Sequence, residues 1–272
     1  MPKKRQRKRR IRYDRLFAIF MVLALMIAGV CAFTHKDKSE ISDDEIESED
    51  ASGLEELEDM QEQEYIESQS EETAYVCLND VIEYSQYPDY PTGCEVTALY
   101  ILLEYYDVEV TMEELVEALP KGPIPWYDAN GVRYGANPAK QFVGDPRYSD
   151  SYGVFNEPIR ETAEQFKTGA IAKTGATLDD IKEIITSGNP VIAWYTTNIE
   201  AGIEYRQEWL DYDTGETVIW PAYEHAVVIY GFDDYNNIMY RDPSTGSSAA
   251  VGWDTFKEAF EELGGMIVYY DE

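Results

Sequence analysis

Hydrophobic patterning divides the chain into three stretches. From Leu16 to Phe33, eighteen residues pass without a charge. As a helix at 1.5 Å per residue that run is about 27 Å long, close to the ~30 Å hydrocarbon core of a bilayer. From Ser39 to Glu72, isolated aliphatic residues punctuate a sequence of Glu, Asp, Ser and Gln. Such a stretch cannot bury enough apolar area to offset its ordering entropy, which predicts a solvated stalk. Periodic patterns begin near Thr73 and continue to the end.

Within that last stretch, alternation over 75–81 predicts a strand. A turn-rich segment, 86–93, leads into a strongly apolar helix from Cys94 to about Tyr106. Thr111 with Glu114 three positions on forms a capping-box signature for a helix reaching Leu119. A long segment rich in Gly, Pro and aromatic residues follows, 120–156, and reads as a loop. Further helices are expected over 157–166, 178–187 (capped by Thr177) and 254–263. Strands are expected over 191–196, 225–232, 238–242 and 266–270. Helices first and an antiparallel sheet later predict an α+β fold.

Charge sharpens this division. Residues 1–38 carry a net +9, residues 39–72 a net −16 and residues 73–272 a net −24. A domain at −24 repels phosphate backbones, which excludes nucleic acid as a partner of that surface. The basic block ahead of the apolar run reads as an orientation signal. It predicts a basic cytoplasmic segment (1–15), a single-pass transmembrane signal anchor (16–33), an acidic stalk (34–72) and an extracellular domain (73–272) held at the cell membrane. The alternative is a cleaved signal at Val30-Cys31-Ala32. Three cysteines and two histidines rule out a disulfide scaffold and a His-based zinc site, so no metal or cofactor is expected.

Candidate chemistry centres on Cys94. It opens a helix behind Gly93, where unpaired N–H groups and the macrodipole favour thiolate. The domain has one histidine, His225, at the start of an apolar strand that turns at 233–237 and returns to Asp242. That hairpin brings Asp242 to the same end as His225, placed to orient the imidazole. Cys, His and Asp therefore form the candidate set for nucleophilic catalysis, in the chain order of papain-like enzymes.

The segment Tyr84-Ser85-Gln86-Tyr87-Pro88-Asp89-Tyr90-Pro91-Thr92-Gly93-Cys94-Glu95-Val96-Thr97-Ala98-Leu99 resembles the nucleophile motif of the bacteriocin-processing (double-glycine leader) cysteine peptidases, in the form of their stand-alone relatives. Phe142-Val143-Gly144-Asp145-Pro146, Asn189-Pro190-Val191-Ile192, the run from His225 to Asp234 and Arg241-Asp242-Pro243 resemble later parts of the same family. The resemblance implies a papain-like fold, a helical part with the nucleophile and an antiparallel sheet with His and Asp. It also implies Cys94 as nucleophile, His225 as base, Asp242 as its orienter and Gln86 as an oxyanion-hole donor, acting on a peptide or protein substrate. Two other readings remain: an inactive peptidase-like binding domain and a transglutaminase-like acyl transferase.

The 120–156 loop is too long to be idle in a compact domain. It holds Tyr127 and Tyr134, expected to bind substrate as part of a cleft wall. Four of the domain's eleven basic residues lie there, Lys121, Arg133, Lys140 and Arg147, which suggests a local site for an acidic peptide. Cys77, within the first strand, reads as a free thiol. Asp211-Tyr212-Asp213-Thr214-Gly215 reads as a hairpin turn in preference to a calcium loop.

Overall fold

The computed structural model describes residues 75–198, 206–235 and 237–272. Its five helices among these residues are α1 (Cys94–Tyr105), α2 (Met112–Ala118), α3 (Asn156–Ala163), α4 (Leu178–Thr186) and α5 (Trp253–Glu262). The strands of the main sheet are β1 (Val76–Cys77), β6 (Ala170–Lys173), β7 (Val191–Thr196), β10 (Glu224–Phe232), β11 (Asn237–Asp242), β12 (Ser247–Gly252) and β13 (Ile267–Tyr270). Shorter strands lie between them: β2 (Lys121–Gly122), β3 (Trp126–Tyr127), β4 (Arg133–Gly135), β5 (Phe142–Val143), β8 (Gln207–Asp211) and β9 (Thr217–Trp220).

The main sheet is antiparallel in the order β12-β11-β10-β7-β13-β6, and β1 pairs with the far end of β10. Every residue of β10 after Glu224 is buried, because helices cover both faces of the sheet at its centre. Ala226, Val228 and Tyr230 face the core that α1 fills, while Val227, Ile229 and Phe232 face the core of α4 and α5. A register shift between Ile229 and Gly231 explains why Tyr230 and Phe232, two apart, fall on opposite faces.

α1 is apolar on nearly every face, so it packs as a central helix and not as a surface one. Its start is fixed by close approach: a Cβ on Gly93 would lie 2.9 Å from Tyr90 Cβ and 3.2 Å from Pro146 Cβ. The capping boxes at Thr111 and Thr177 both form, each N-cap hydroxyl accepting from the N3 amide. β7 supplies the largest wholly buried side chain, Trp194, whose Nε1 donates to the Val154 carbonyl at 2.9 Å.

Segment 120–156 is more regular than a loop. It contributes β2 through β5, and β3 and β4 join β8 and β9 in a separate four-stranded sheet. The turn at Asp211 closes the β8–β9 hairpin, with Gly215 N donating to the Asp211 carbonyl. Trp209, Val218, Trp220, Ala136 and Val143 make a third core there. The basic residues of the segment are used internally: Lys140 pairs with Asp211 at 2.7 Å, and Arg147 with Glu113 at 2.8 Å and Asp145 at 3.0 Å. Lys121 donates to main-chain carbonyls at the end of α2. Three of the four basic residues expected to meet an acidic peptide therefore already have partners within the domain.

The membrane assignment is also corrected. No helix among the described residues is long and apolar enough to cross a membrane, and those residues form an α+β papain-like domain. The anchor expected at 16–33, and the basic and acidic segments around it, lie outside the described residues. Single-pass anchoring, the membrane as partner and an extracellular location rested on that segment and have no support among the described residues.

Candidate active site

Cys94 is the first residue of α1, buried, with its amide end of the helix left without a side-chain cap. β10 runs past it, with the Ala226 amide near enough to the sulfur to act against the rise of its pKa. His225, one residue earlier on β10, is also buried and pairs in register with Tyr195 of β7. The imidazole lies 5.8 Å from the Tyr195 ring, centre to centre. Its Nε2 is 2.7 Å from Asp242 Oδ1 at the end of β11. That same oxygen accepts from Ser244 N at 2.8 Å and Ser244 Oγ at 2.7 Å. Burial alone would raise the Asp242 carboxyl, but the hydrogen bonds from His225 and Ser244 outweigh it and bring its pKa to about 2. The anionic carboxylate therefore receives Nε2–H, which leaves Nδ1 as the basic nitrogen of the ring.

The thiol does not complete a hydrogen-bonded Cys–His–Asp chain. Cys94 Sγ donates to Glu95 Oε2 at 3.3 Å, so the expected relay through His225 is corrected to a formed His–Asp pair beside a thiol bonded elsewhere. The expected thiolate is corrected too. Burial pushes the Cys94 pKa well up, and the carboxyls of Glu95 and Glu224 push it further, against one opposing hydrogen bond from Ala226. Helix-end stabilisation is worth at most about 1–2 kcal/mol and loses to desolvation next to two acids.

These two acids are the part of the site that sequence reasoning missed. Cys94 Sγ and a carboxyl oxygen from each of Glu95 and Glu224 all lie within 4.8 Å of one another. Glu95 is fully buried and its Oε1 accepts from Val154 N at 2.7 Å. Gly153 makes room for the pair, since a Cβ there would sit 2.2 Å from Glu95 Oε1 and 3.2 Å from Glu224 Oε2. Burial lifts the Glu95 pKa to about 7, and burial together with Glu95 lifts Glu224 well above the usual carboxyl range. A thiol and two carboxyls at this spacing are possible metal donors.

The raised carboxyl pKa values carry a pH prediction. A carboxyl that holds its proton more tightly when folded stabilises the fold fully below its unfolded pKa, near 4.5, and that contribution is lost as pH rises through the folded value, about 7 for Glu95. Asp242 acts in the opposite sense, its contribution vanishing only as pH falls from about 4 toward 2. Thermal unfolding should therefore show the midpoint falling from pH 5 to pH 8, by the equivalent of a few kcal/mol at most at 1.36 kcal/mol per pKa unit. Glu95→Gln should flatten that slope, and an identical slope in the variant would contradict the assignment.

Gln86 is buried in the turn before α1, its amide N–H bonded to the Pro243 carbonyl beside Asp242 at 2.9 Å. Its Nε2 donates to the Pro91 carbonyl at 3.0 Å, which leaves the second amide hydrogen uncommitted there, while its Oε1 is buried without a partner among the described residues. Tyr127 and Tyr134 lie on β3 and β4; Tyr127 stands 70% exposed, and Tyr134 packs on Trp126 at 6.1 Å between ring centres. The side chains of that region that stand beside Glu224 are instead Tyr152 and Trp220, which line one cavity with it. Cys77 is a free, partly buried thiol on β1.

A family model described as the Peptidase_C39 like family matches residues 78–268. An uncharacterized protein of Bacillus subtilis strain 168, YvpB, is 28% identical over 193 residues, 70% of this chain and 74% of that protein. A crystal structure described as that of a candidate C39-like peptidase from Bacillus anthracis aligns with a TM-score of 0.64 at 26% identity, covering 73% of this chain and 98% of that one. These similarities are to C39-like peptidases broadly and do not single out the double-glycine leader peptidases.

Proposed function

Because the chain belongs to the Peptidase_C39 like family, we propose that it is a cysteine-peptidase-type hydrolase of peptide bonds, with Cys94 as nucleophile. The observation that carries this reading is the sulfur within 4.8 Å of a Glu224 carboxyl oxygen, one residue from an imidazole whose Nε2 is already taken by Asp242. In the proposed reaction the thiol leaves Glu95 when substrate enters and gives its proton to His225 Nδ1. Sulfur attacks the peptide carbonyl, and the protonated imidazole supplies the amine leaving group with that proton. Water then adds to the acyl-enzyme with His225 as base, releasing the acid and restoring the thiol. Asp242 acts through His225 as a positioning residue, holding the ring in the tautomer that exposes Nδ1. The developing oxyanion would be met by the Cys94 amide and the second Nε2 hydrogen of Gln86, and the exposed Tyr127 with the half-buried Tyr134 would touch the outer part of a long peptide.

Incubation of the full chain with a mixture of unrelated peptides, read by mass spectrometry, tests this. New amine and carboxyl termini should appear with the wild type and not with Cys94→Ala. Identical product spectra from the two proteins would refute the reading and favour a binding role for the domain.

A further inference from the structure

We propose that the cavity beside Cys94 binds a cationic group of the substrate, an α-ammonium or a Lys or Arg side chain, seated against Glu224 in the space that Tyr152 and Trp220 also line. This rests on the reading of Cys94 as the reactive group and adds the chemistry of what enters next to it.

The cavity has a volume of about 340 Å³, and Asp150, Tyr152, Trp220, Tyr223 and Glu224 are among its lining residues. Glu224 belongs both to this cavity and to the group within 4.8 Å of the Cys94 sulfur, so the cavity adjoins the nucleophile. The two carboxyls beside the sulfur are unequally served. Glu95 accepts from the Cys94 thiol and from Val154 N, whereas Glu224 Oε1 is sealed from solvent with no hydrogen-bond partner among the described residues. A buried carboxyl oxygen without a donor is costly, and a ligand carrying N–H donors and positive charge offsets that cost.

The walls fit the same ligand. Trp220 and Tyr152 pack edge to face, 5.8 Å centre to centre at 85°, and Phe155 stacks on Trp220 at 5.7 Å, which makes a fixed aromatic wall. The basic residue that reaches this rim, Arg133, is committed to Tyr152 Oη at 3.0 Å and Gln207 Oε1 at 2.8 Å.

In the empty cleft the carboxyl pair keeps a proton, and an entering cation takes that proton's place. The groups that set this balance are Cys94 and Glu95 from α1, Glu224 from β10, Asp150 and Tyr152 from the segment before α3, and Arg133 from β4. With the Glu95 carboxyl titrating at about 7, preference for a cation should grow as pH rises from 6 to 8.

Three methanethiosulfonate reagents of similar size test this on the full chain: a cationic trimethylammonioethyl, a neutral and an anionic sulfonatoethyl form. Modification rates are read separately at Cys94 and Cys77 by peptide mass. The cationic-to-anionic rate ratio at Cys94 should exceed that at Cys77 by roughly tenfold and widen with pH. Glu224→Gln should collapse the excess, and Asp150→Asn, on the outer wall, should reduce it independently. A ratio at Cys94 equal to that at Cys77, or one unmoved in both variants, would overturn the proposal. Because the readout is thiol modification, charge discrimination without peptide cleavage would preserve this site and remove the peptidase reading. Peptide cleavage without discrimination would do the reverse.

Discussion

Cys94→Ala is expected to remove peptide cleavage to the level of the uncatalysed background, a loss of roughly 10⁴-fold or more, because the proposed acyl-enzyme forms on the Cys94 sulfur. His225→Ala should cost nearly as much. The Cys94 thiol sits well above its ordinary pKa beside two acids, so without a base very little of it is thiolate at neutral pH. Losses in the double variant should not multiply, since residues that act as one unit fail together. Asp242→Asn should lose less: the amide can still hold the ring, although the anionic partner that stabilises a protonated imidazole is gone. Gln86→Ala should lower kcat by roughly 10²–10³ with little change in KM, as expected for a donor used only when the oxyanion forms. Steady-state kinetics on any cleaved peptide separate these outcomes, and full activity in either Cys94→Ala or His225→Ala would end the mechanism.

Trp194→Ala should be the most damaging change to stability away from the reacting groups. The side chain is wholly buried in the core between β7 and α1, and its indole N–H satisfies the Val154 carbonyl at 2.9 Å. Truncating a buried Trp costs about 3–5 kcal/mol through lost burial and the cavity left behind, and the orphaned carbonyl adds roughly 1 kcal/mol. The effect should reach the site, because Val154 N is the donor that holds Glu95 Oε1 at 2.7 Å. Chemical denaturation should show the midpoint falling with the slope unchanged. Trp194→Phe, which keeps most of the volume and loses only the donor, should recover most of the stability. A loss under about 1 kcal/mol for Trp194→Ala would mean that this core collapses around the gap.

Strong, local signals carried the legible parts of the fold. The apolar run after Gly93 could only be a buried helix, Thr111 and Thr177 marked helix starts, and the hairpin from His225 to Asp242 followed from an apolar strand, a turn and a return. The small sheet escaped because strands of two to five residues such as β3, β4 and β9 are too short for a period, and their pairing with β8 is non-local. At the site, proximity of His225 and Asp242 was readable from the hairpin. The acid pair was not, because a Glu beside a Cys on a helix, or one at a strand start, ordinarily points to water. One clue existed: Glu95 is the second residue of a helix whose other faces are apolar, so no solvent-facing side was available to it. The same burial reversed the expected direction of the Cys94 pKa, since desolvation beside carboxyls outweighs a helix end.

The most direct test of Cys94 as the nucleophile assisted by His225 is covalent trapping. The full chain is incubated at neutral pH with a peptidyl vinyl sulfone, and the adduct is counted by intact mass and located by peptide mapping. The account predicts one adduct, on Cys94, absent in Cys94→Ala and formed at least roughly tenfold more slowly in His225→Ala. Adducts divided equally between Cys94 and Cys77, or a Cys94 rate indifferent to His225, would contradict it.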